Sequence, residues 1–259
     1  MDTSYQQKLL ELLQTESKVS LREAMDYLGV SESTARRLFI RLESEGYGIR
    51  THGGLQTQSH LLTKYSFDSG MHTNTEKKTA IARAAVQLVE DGDVLFCDSG
   101  TTVQCFCMEL ANRIRSEELH VQLYTNSLAN LEIMAGTVQV VLIGGEYRPN
   151  RKDFCGYLAD QALSKLYFNK VFLGADGCVD MKTFSTTDFE TARINQIAIE
   201  NTDRPIVLAD STKFSRTSHL MYVPVKALYA IVTDEGLDQQ QLAILRQNND
   251  NVICAPLLE

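Results

Sequence analysis

Along residues 1–57, apolar positions recur at helical spacing. Leu9, Leu10, Leu12 and Leu13 mark a helix over Tyr5–Gln14. Ser20 then stands as an N-cap before LREAMDYL, with Glu23 closing a capping box and Gly29 as the stop. After the short turn L-G-V-S (28–31), Ser31 opens a third helix that runs to Glu45 and ends at Gly46. YGIRTHGGL follows as two short extended pieces turned at Gly53–Gly54. The order is helix, helix, tight turn, helix and a small β-wing. The polar text QTQSHLLTKYSFDSGMHTNT then loses all period and predicts a linker over residues 58–75, with Tyr65 and Phe67 as its packing residues.

From Glu76 a second pattern repeats. Apolar runs end in small or polar clusters and mostly pass into helical text: DVLFCDSGTT (93–102), VQLYTNS (121–127), VQVVLIGG (138–145), KVFLGADG (170–177), PIVLADSTKF (205–214) and ALYAIVTDEG (227–236). Near-continuous apolar strands alternating with helices predict an α/β domain over 76–259 built on a mainly parallel sheet covered on both faces. NNDNVICAPLLE reads as a last strand. In such sheets ligands bind beyond the carboxyl ends of the strands. Those ends are where Asp, Ser, Thr, Asn, Gly and Lys gather here.

Composition narrows the picture. No run of about 18 apolar residues exists to span a bilayer, and MDTSYQQKLLELLQ lacks the order of a signal peptide. Both observations predict a cytoplasmic protein with no membrane partner. Six cysteines include no C-x-x-C pair, so reduced thiols used as small apolar residues are expected, with no metal and no cofactor.

The net charge of −8 argues against coating nucleic acid through bulk charge. Arrangement matters more than the sum. Residues 1–57 hold seven Lys/Arg and eight Asp/Glu, yet four of those cations lie on the third helix and wing, with His52 at the wing tip. On a helical wheel Ala35, Leu38, Phe39 and Leu42 fall inward. Ser33, Arg36, Arg37 and Ile40 fall outward, flanked by Thr34 and Arg41. An apolar back and a Ser/Arg front suit a helix lying in the major groove. The candidate DNA contacts are therefore Ser31, Ser33, Thr34, Arg36, Arg37, Arg41, Arg50 and His52. A single small head buries too little surface for tight specific binding, so a homodimer or homotetramer on a duplex operator is expected.

In the second domain, CDSGTT (97–102) follows a strand and runs into a helix. Free N–H groups at a helix start, beside hydroxyls, make an anion cradle. Asp98 is out of place beside a phosphate; it orders the loop or accepts a sugar hydroxyl. Equivalent strand ends carry Asn126, Gly145 with Arg148 downstream, Asp176, and Lys213 in D-S-T-K. Lys213 and Arg148 offer cations for a phosphate, whereas Asp176, Asn126 and Asp98 offer partners for hydroxyls. The set predicts a phosphorylated sugar or polyol as ligand.

SESTARR followed by LESEGYGIRTHGG resembles the winged helix-turn-helix of the DeoR family of bacterial sugar-metabolism regulators. DSGTT, TNS, GGxxR, GADG, FSTT…E and ADSTKF extend that resemblance over nearly the whole chain. The resemblance implies a repressor of a carbohydrate-utilisation operon. It also implies a second domain resembling ribose-5-phosphate isomerase. On that basis Ser99, Gly100, Thr101, Thr102 and Lys213 hold a phosphate, while Asp98, Asn126, Asp176 and Glu190 face the sugar. The chain departs from the family pattern at Leu38 after the arginine pair, at Ser69 and Gly70 where an arginine is usual, and at Cys155 before Gly156. The alternative is a sugar-phosphate isomerase with Glu190 as base and Asp176 assisting. MKTFSTTDFE carries Lys182 but lacks the glycine-rich loop such isomerases have, so a regulator and not an enzyme is expected.

Overall fold

Helical period in the first residues becomes α1 (Thr3–Glu16), α2 (Leu21–Leu28) and α3 (Glu32–Ser44), with the wing strands β1 (Lys18–Ser20), β2 (Ile49–Thr51) and β3 (Gly54–Gln56). The computed structural model describes residues 3–16, 18–44, 48–51, 53–56, 66–117 and 119–257. Gly46, His52 and Tyr65, each given a role above, lie outside them. At α2 the capping box is complete: Ser20 Oγ accepts from the Glu23 N–H at 3.2 Å, and Glu23 accepts from the Ser20 N–H at 2.8 Å. Gly29 ends the helix at φ 65°, a backbone that glycine takes without strain.

Leu9, Leu13, Val19, Ala24, Leu28, Ala35, Leu38, Phe39, Leu42 and Leu55 form one buried cluster. Burying each large apolar side chain contributes about 1.5–3 kcal/mol. β1 was not evident in the sequence. It pairs with β3, placing Val19 opposite Leu55, and a Cβ on Gly54 would lie 2.6 Å from the Val19 carbonyl oxygen. Glycine there lets the third wing strand close.

The chain divides into two compact units between Tyr65 and Ser66. The second opens with α4 (Phe67–His72) and α5 (Thr75–Ala85), then β4 (Val94–Cys97), α6 (Thr101–Ser116), β5 (Gln122–Thr125), α7 (Leu128–Met134) and β6 (Gln139–Leu142). A hairpin of β7 (Glu146–Arg148) and β8 (Asp153–Cys155) leads to α8 (Tyr157–Leu163), β9 (Lys170–Gly174), β10 (Gly177–Val179), β11 (Thr183–Thr186) and α9 (Phe189–Glu200). β12 (Pro205–Leu208), β13 (Leu220–Pro224), β14 (Ala230–Asp234), α10 (Gln239–Asn248) and β15 (Val252–Ala255) complete it. The span read as linker thus includes α4, whose Phe67 is buried and whose first N–H donates to the Asn150 carbonyl at 2.9 Å.

The main sheet has seven parallel strands in the order β15-β14-β12-β9-β4-β5-β6. Alternate side chains enter opposite cores. Phe96, Val171, Leu173 and Val207 join the cluster under α8 and α9, and Leu95, Cys97, Phe172 and Ile206 join the one under α5 and α6. That two-sided burial is why the strands read as unbroken apolar runs. The antiparallel sheet β10-β11-β13 and the β7-β8 hairpin were not foreseen. Successive strands β4, β5 and β6 spread one way, and the chain then returns to lay β9 on the other flank of β4. The carboxyl ends of β4 and β9 therefore flank a topological switch point, where such sheets bind ligands. Among the described residues no helix is long and apolar enough to cross a membrane.

Candidate functional site

On α3 the inward set Ala35, Leu38, Phe39 and Leu42 is buried, and Ser33, Arg36, Arg37 and Arg41 are exposed. Leu38, where the family pattern has an acidic residue, fills the core at 3% exposure. A shallow concavity between α3 and the wing is lined by Arg36, Ile40, Arg50 and Thr51, so helix and wing cations share one surface. Two of these cations are paired locally. Arg36 meets Glu32 at 2.7 Å, and Arg50 Nε meets Glu43 at 2.6 Å. The Arg50 N–H and side chain both donate to Glu43, which holds that carboxyl below its ordinary range. Exposed pairs of this kind are worth little and re-form readily with a phosphate. Arg37 Nε reaches back to the Ser33 carbonyl at 3.4 Å. Ser31 Oγ lies 3.1 Å from Ser33 Oγ and 3.0 Å from Thr34 Oγ1 at the helix start.

At the carboxyl edge of the sheet, β5, β4, β9 and β12 stand side by side, so Asn126, Asp98–Thr102, Asp176 and Lys213 follow consecutive strands. Gly100 precedes α6 with no side chain capping its first N–H groups. A Cβ on Gly100 would sit 3.4 Å from Gly174 Cα, so the two loops of the switch point touch. Thr101 is half-buried and Thr102 buried. Asp98 is buried and accepts from the Gly174 N–H at 3.2 Å. Burial, reinforced by the nearby Asp153 charge and offset by Ser99, Gly174 and Arg151, pushes its carboxyl up to about 6. Ser99 Oγ donates to Asp153 at 2.9 Å. Asn126 Nδ2 donates to the Phe154 carbonyl at 3.1 Å, leaving its buried Oδ1 without a partner. Asp176 Oδ2 accepts from Thr186 Oγ1, Thr187 N–H and Thr187 Oγ1 at 3.0, 2.9 and 2.9 Å. Lys213 is half-buried in the short turn Ser211–Ser215, which Asp210 caps.

The geometry revises three expectations. Arg148, expected as a cation for phosphate, is instead a bridge in the framework. It meets Asp153 at 2.8 and 2.6 Å and Asp188 at 2.5 Å, and also donates to Thr191. Although burial opposes it, those two carboxylates hold the guanidinium proton more tightly than usual. Gly145 answers to packing, since a Cβ there would lie 2.3 Å from the Cys155 carbonyl oxygen. Glu190 is exposed and accepts from the Gly156 N–H at 3.1 Å, apart from the hydrogen-bond set of Asp176. Sequence reasoning missed Asp153, Asp188, Arg151 and Asn130. Asn130 Nδ2 donates to the Asp98 carbonyl at 2.9 Å and so steadies the same loop. The R-x-x-x-x-D spacing of Arg148 and Asp153 across a hairpin was the available signal. Among the described residues no group of three or more His, Cys, Asp or Glu sits close enough to hold a metal ion.

Residues 6–60 match the DeoR-like helix-turn-helix domain, and residues 73–235 match the DeoR C terminal sensor domain. A lactose phosphotransferase system repressor of Lactococcus lactis subsp. lactis is 33% identical over 240 residues, covering 91% of this chain and 92% of its own. One from Staphylococcus epidermidis is 32% identical over 88% of this chain and 90% of its own. Among solved structures, ribose 5-phosphate isomerase A of Methanocaldococcus jannaschii aligns at 25% identity over 55% of each chain, with a TM-score of 0.43. The full-length sorbitol operon regulator SorC of Klebsiella pneumoniae aligns at 11% identity over 95% of this chain and 99% of its own, with a TM-score of 0.41. With a helix-turn-helix head matched at one end and a sensor domain over more than half its length, the chain belongs to the DeoR family of transcription regulators and is not an enzyme.

Proposed function

We propose that this chain represses an operon for carbohydrate use and is controlled by a phosphorylated sugar or polyol. The exposed Arg36 and Arg37 front on α3, sharing a surface with Arg50, is the observation that carries the reading. On duplex DNA, Arg36 and Arg50 exchange Glu32 and Glu43 for phosphates or base edges, while Ser31, Ser33, Thr34 and Arg41 fix the register. His52, outside the described residues, is a further candidate contact. Two or four copies act together on symmetric half-sites in the cytoplasm, where the operator lies.

The effector occupies the switch point between β4 and β9. Its phosphate rests on Ser99–Thr102 and Lys213, and its hydroxyls meet Asp98, Asn126 and Asp176. The unpartnered Asn126 Oδ1 supports that assignment, as do relatives named lactose phosphotransferase system repressors. Glu190 stands at the rim, two positions beyond the Asp188 that holds Arg148. The effector acts only through its differential affinity for the DNA-competent arrangement.

A thermal-shift screen over phosphorylated sugars and polyols tests the reading, joined to a gel shift on an operator selected from random duplexes. At a hundred times its dissociation constant, an effector adds about 2.7 kcal/mol and changes the gel shift. A protein that selects no duplex, or that no such compound stabilises, overturns the proposal.

A further inference from the structure

Lys78 is the charge least expected from the sequence. It lies on α5 at 3% exposure, and its ammonium donates to the Gly70 carbonyl of α4. No carboxylate pairs with it among the described residues. The other deeply buried lysine, Lys170, holds Glu90 and Asp93 at 2.7 and 2.6 Å. A buried ammonium lacking a counter-ion is costly to keep charged, and burial indeed lowers its proton affinity.

Its surroundings show what is missing. The charged and titratable groups that act on it are Cys105, one helical turn from Thr101 on α6, then Asp210, then Lys213. Geometry sets Lys78 beside both halves of the anion cradle: the Gly70 whose carbonyl it holds packs on Thr101 at the start of α6, and Asn74 and Lys77, its neighbours in sequence, bond Asp210 and Ser211. Asp210 is fixed by Asn74, at 3.2 Å, and by Thr212, while its buried Oδ2 has no partner. α4 touches the same cradle, for a Cβ on Gly70 would lie 3.1 Å from Thr101 Cγ2.

Resting on the sugar-phosphate reading above, we propose that Lys78 is a cation of the effector phosphate and reports its arrival. The phosphate draws the ammonium from the Gly70 carbonyl, and α4, the first described helix after the head, loosens. A charge-assisted bond to phosphate is stronger than one to a neutral carbonyl. Gly70 keeps the Thr73 N–H as a donor at 3.2 Å, so its carbonyl is not stranded. A helix as short as Phe67–His72 has little stability of its own, and losing one anchor shifts it.

The test uses the full chain, with inorganic phosphate and phosphorylated hexoses and polyols as probes. Lys78→Met is expected to weaken the tightest probe at least about tenfold, with Lys78→Arg retaining part of the affinity. In the unmodified protein, amide hydrogen exchange over residues 69–73 is expected to speed up when that probe saturates. Affinity within twofold in Lys78→Met, or unchanged exchange at saturation, overturns the proposal. Should Lys78→Met fail to fold, the exchange measurement on the unmodified protein decides. If no probe binds the unmodified protein, the sugar-phosphate reading falls first and takes this one with it.

Discussion

The head and the sensor both pair arginine with carboxylates, but at opposite depths. Arg36 and Glu32 are 62% and 56% exposed, whereas Arg148 and Asp153 are 19% and 0% exposed. On the surface, water already solvates both partners, so the pair dissolves cheaply when a better anion arrives. In the interior the pair replaces hydration that cannot return, and removing one member strands the other. The same residue type thus makes an exchangeable surface pair in one unit and a fixed interior pair in the other.

The largest effect expected from this contrast is at Arg148. Arg148→Met leaves the fully buried Asp153 without its cation, while the half-buried Asp188 keeps Arg151 at 3.9 Å, and should cost about 3–5 kcal/mol in urea unfolding of the sensor. A cost below about 1 kcal/mol would erase the distinction. Next comes Asp98, whose folded carboxyl holds its proton up to about pH 6 against an ordinary 3.8. Its stabilising contribution is full below the ordinary value and disappears as pH rises through about 6. Asp98→Asn should therefore remove up to about 3 kcal/mol of stability loss between pH 4 and 6. Asp188, held low by Arg148 against its burial, slopes the other way, so the profiles of variant and parent must be subtracted. If the difference profile is flat, Asp98 titrates normally.

In the head the scale drops. Arg37→Ala should weaken operator binding by about 1–3 kcal/mol yet change thermal stability by no more than about 0.5 kcal/mol. Equal losses in both would place Arg37 in the framework. Smallest of all, Glu32→Ala should alter stability by about 0.5 kcal/mol or less and tighten DNA binding slightly, because Arg36 is released. Weaker binding in a gel shift would show that Glu32 positions Arg36 instead of competing for it.

The same contrast of depth explains what the sequence revealed. α2 was readable to the residue, since Ser20, Glu23 and Gly29 act over a single turn. The strands of the main sheet were readable because both faces are buried. β10 and β11 form a hairpin whose polar text, GCVDMKTFST, gives no apolar run, and only the distant pairing of Phe184 with Val223 ties β13 to it. α4 looked like linker because one buried aromatic, Phe67, anchors a polar segment. In the candidate site, Asp98–Thr102, Asn126, Asp176 and Lys213 follow their strands directly, so local text found them. Arg148 misled because Asp188 lies forty residues away in sequence. Lys78 was invisible because a lysine in helical text reads as solvent-facing until a tertiary contact covers it.

The pairing of β4 with β9 has a consequence for synthesis of the chain. Leu95 must wait for Lys170 before the centre of the main sheet can close, and such distant pairings make folding slow. Among the described residues, the core and the wing of the head use nothing beyond Gln56. A nascent molecule can therefore carry a finished reading head while its sensor is still being translated. During that interval the helix-turn-helix is complete and the domain that follows it is not.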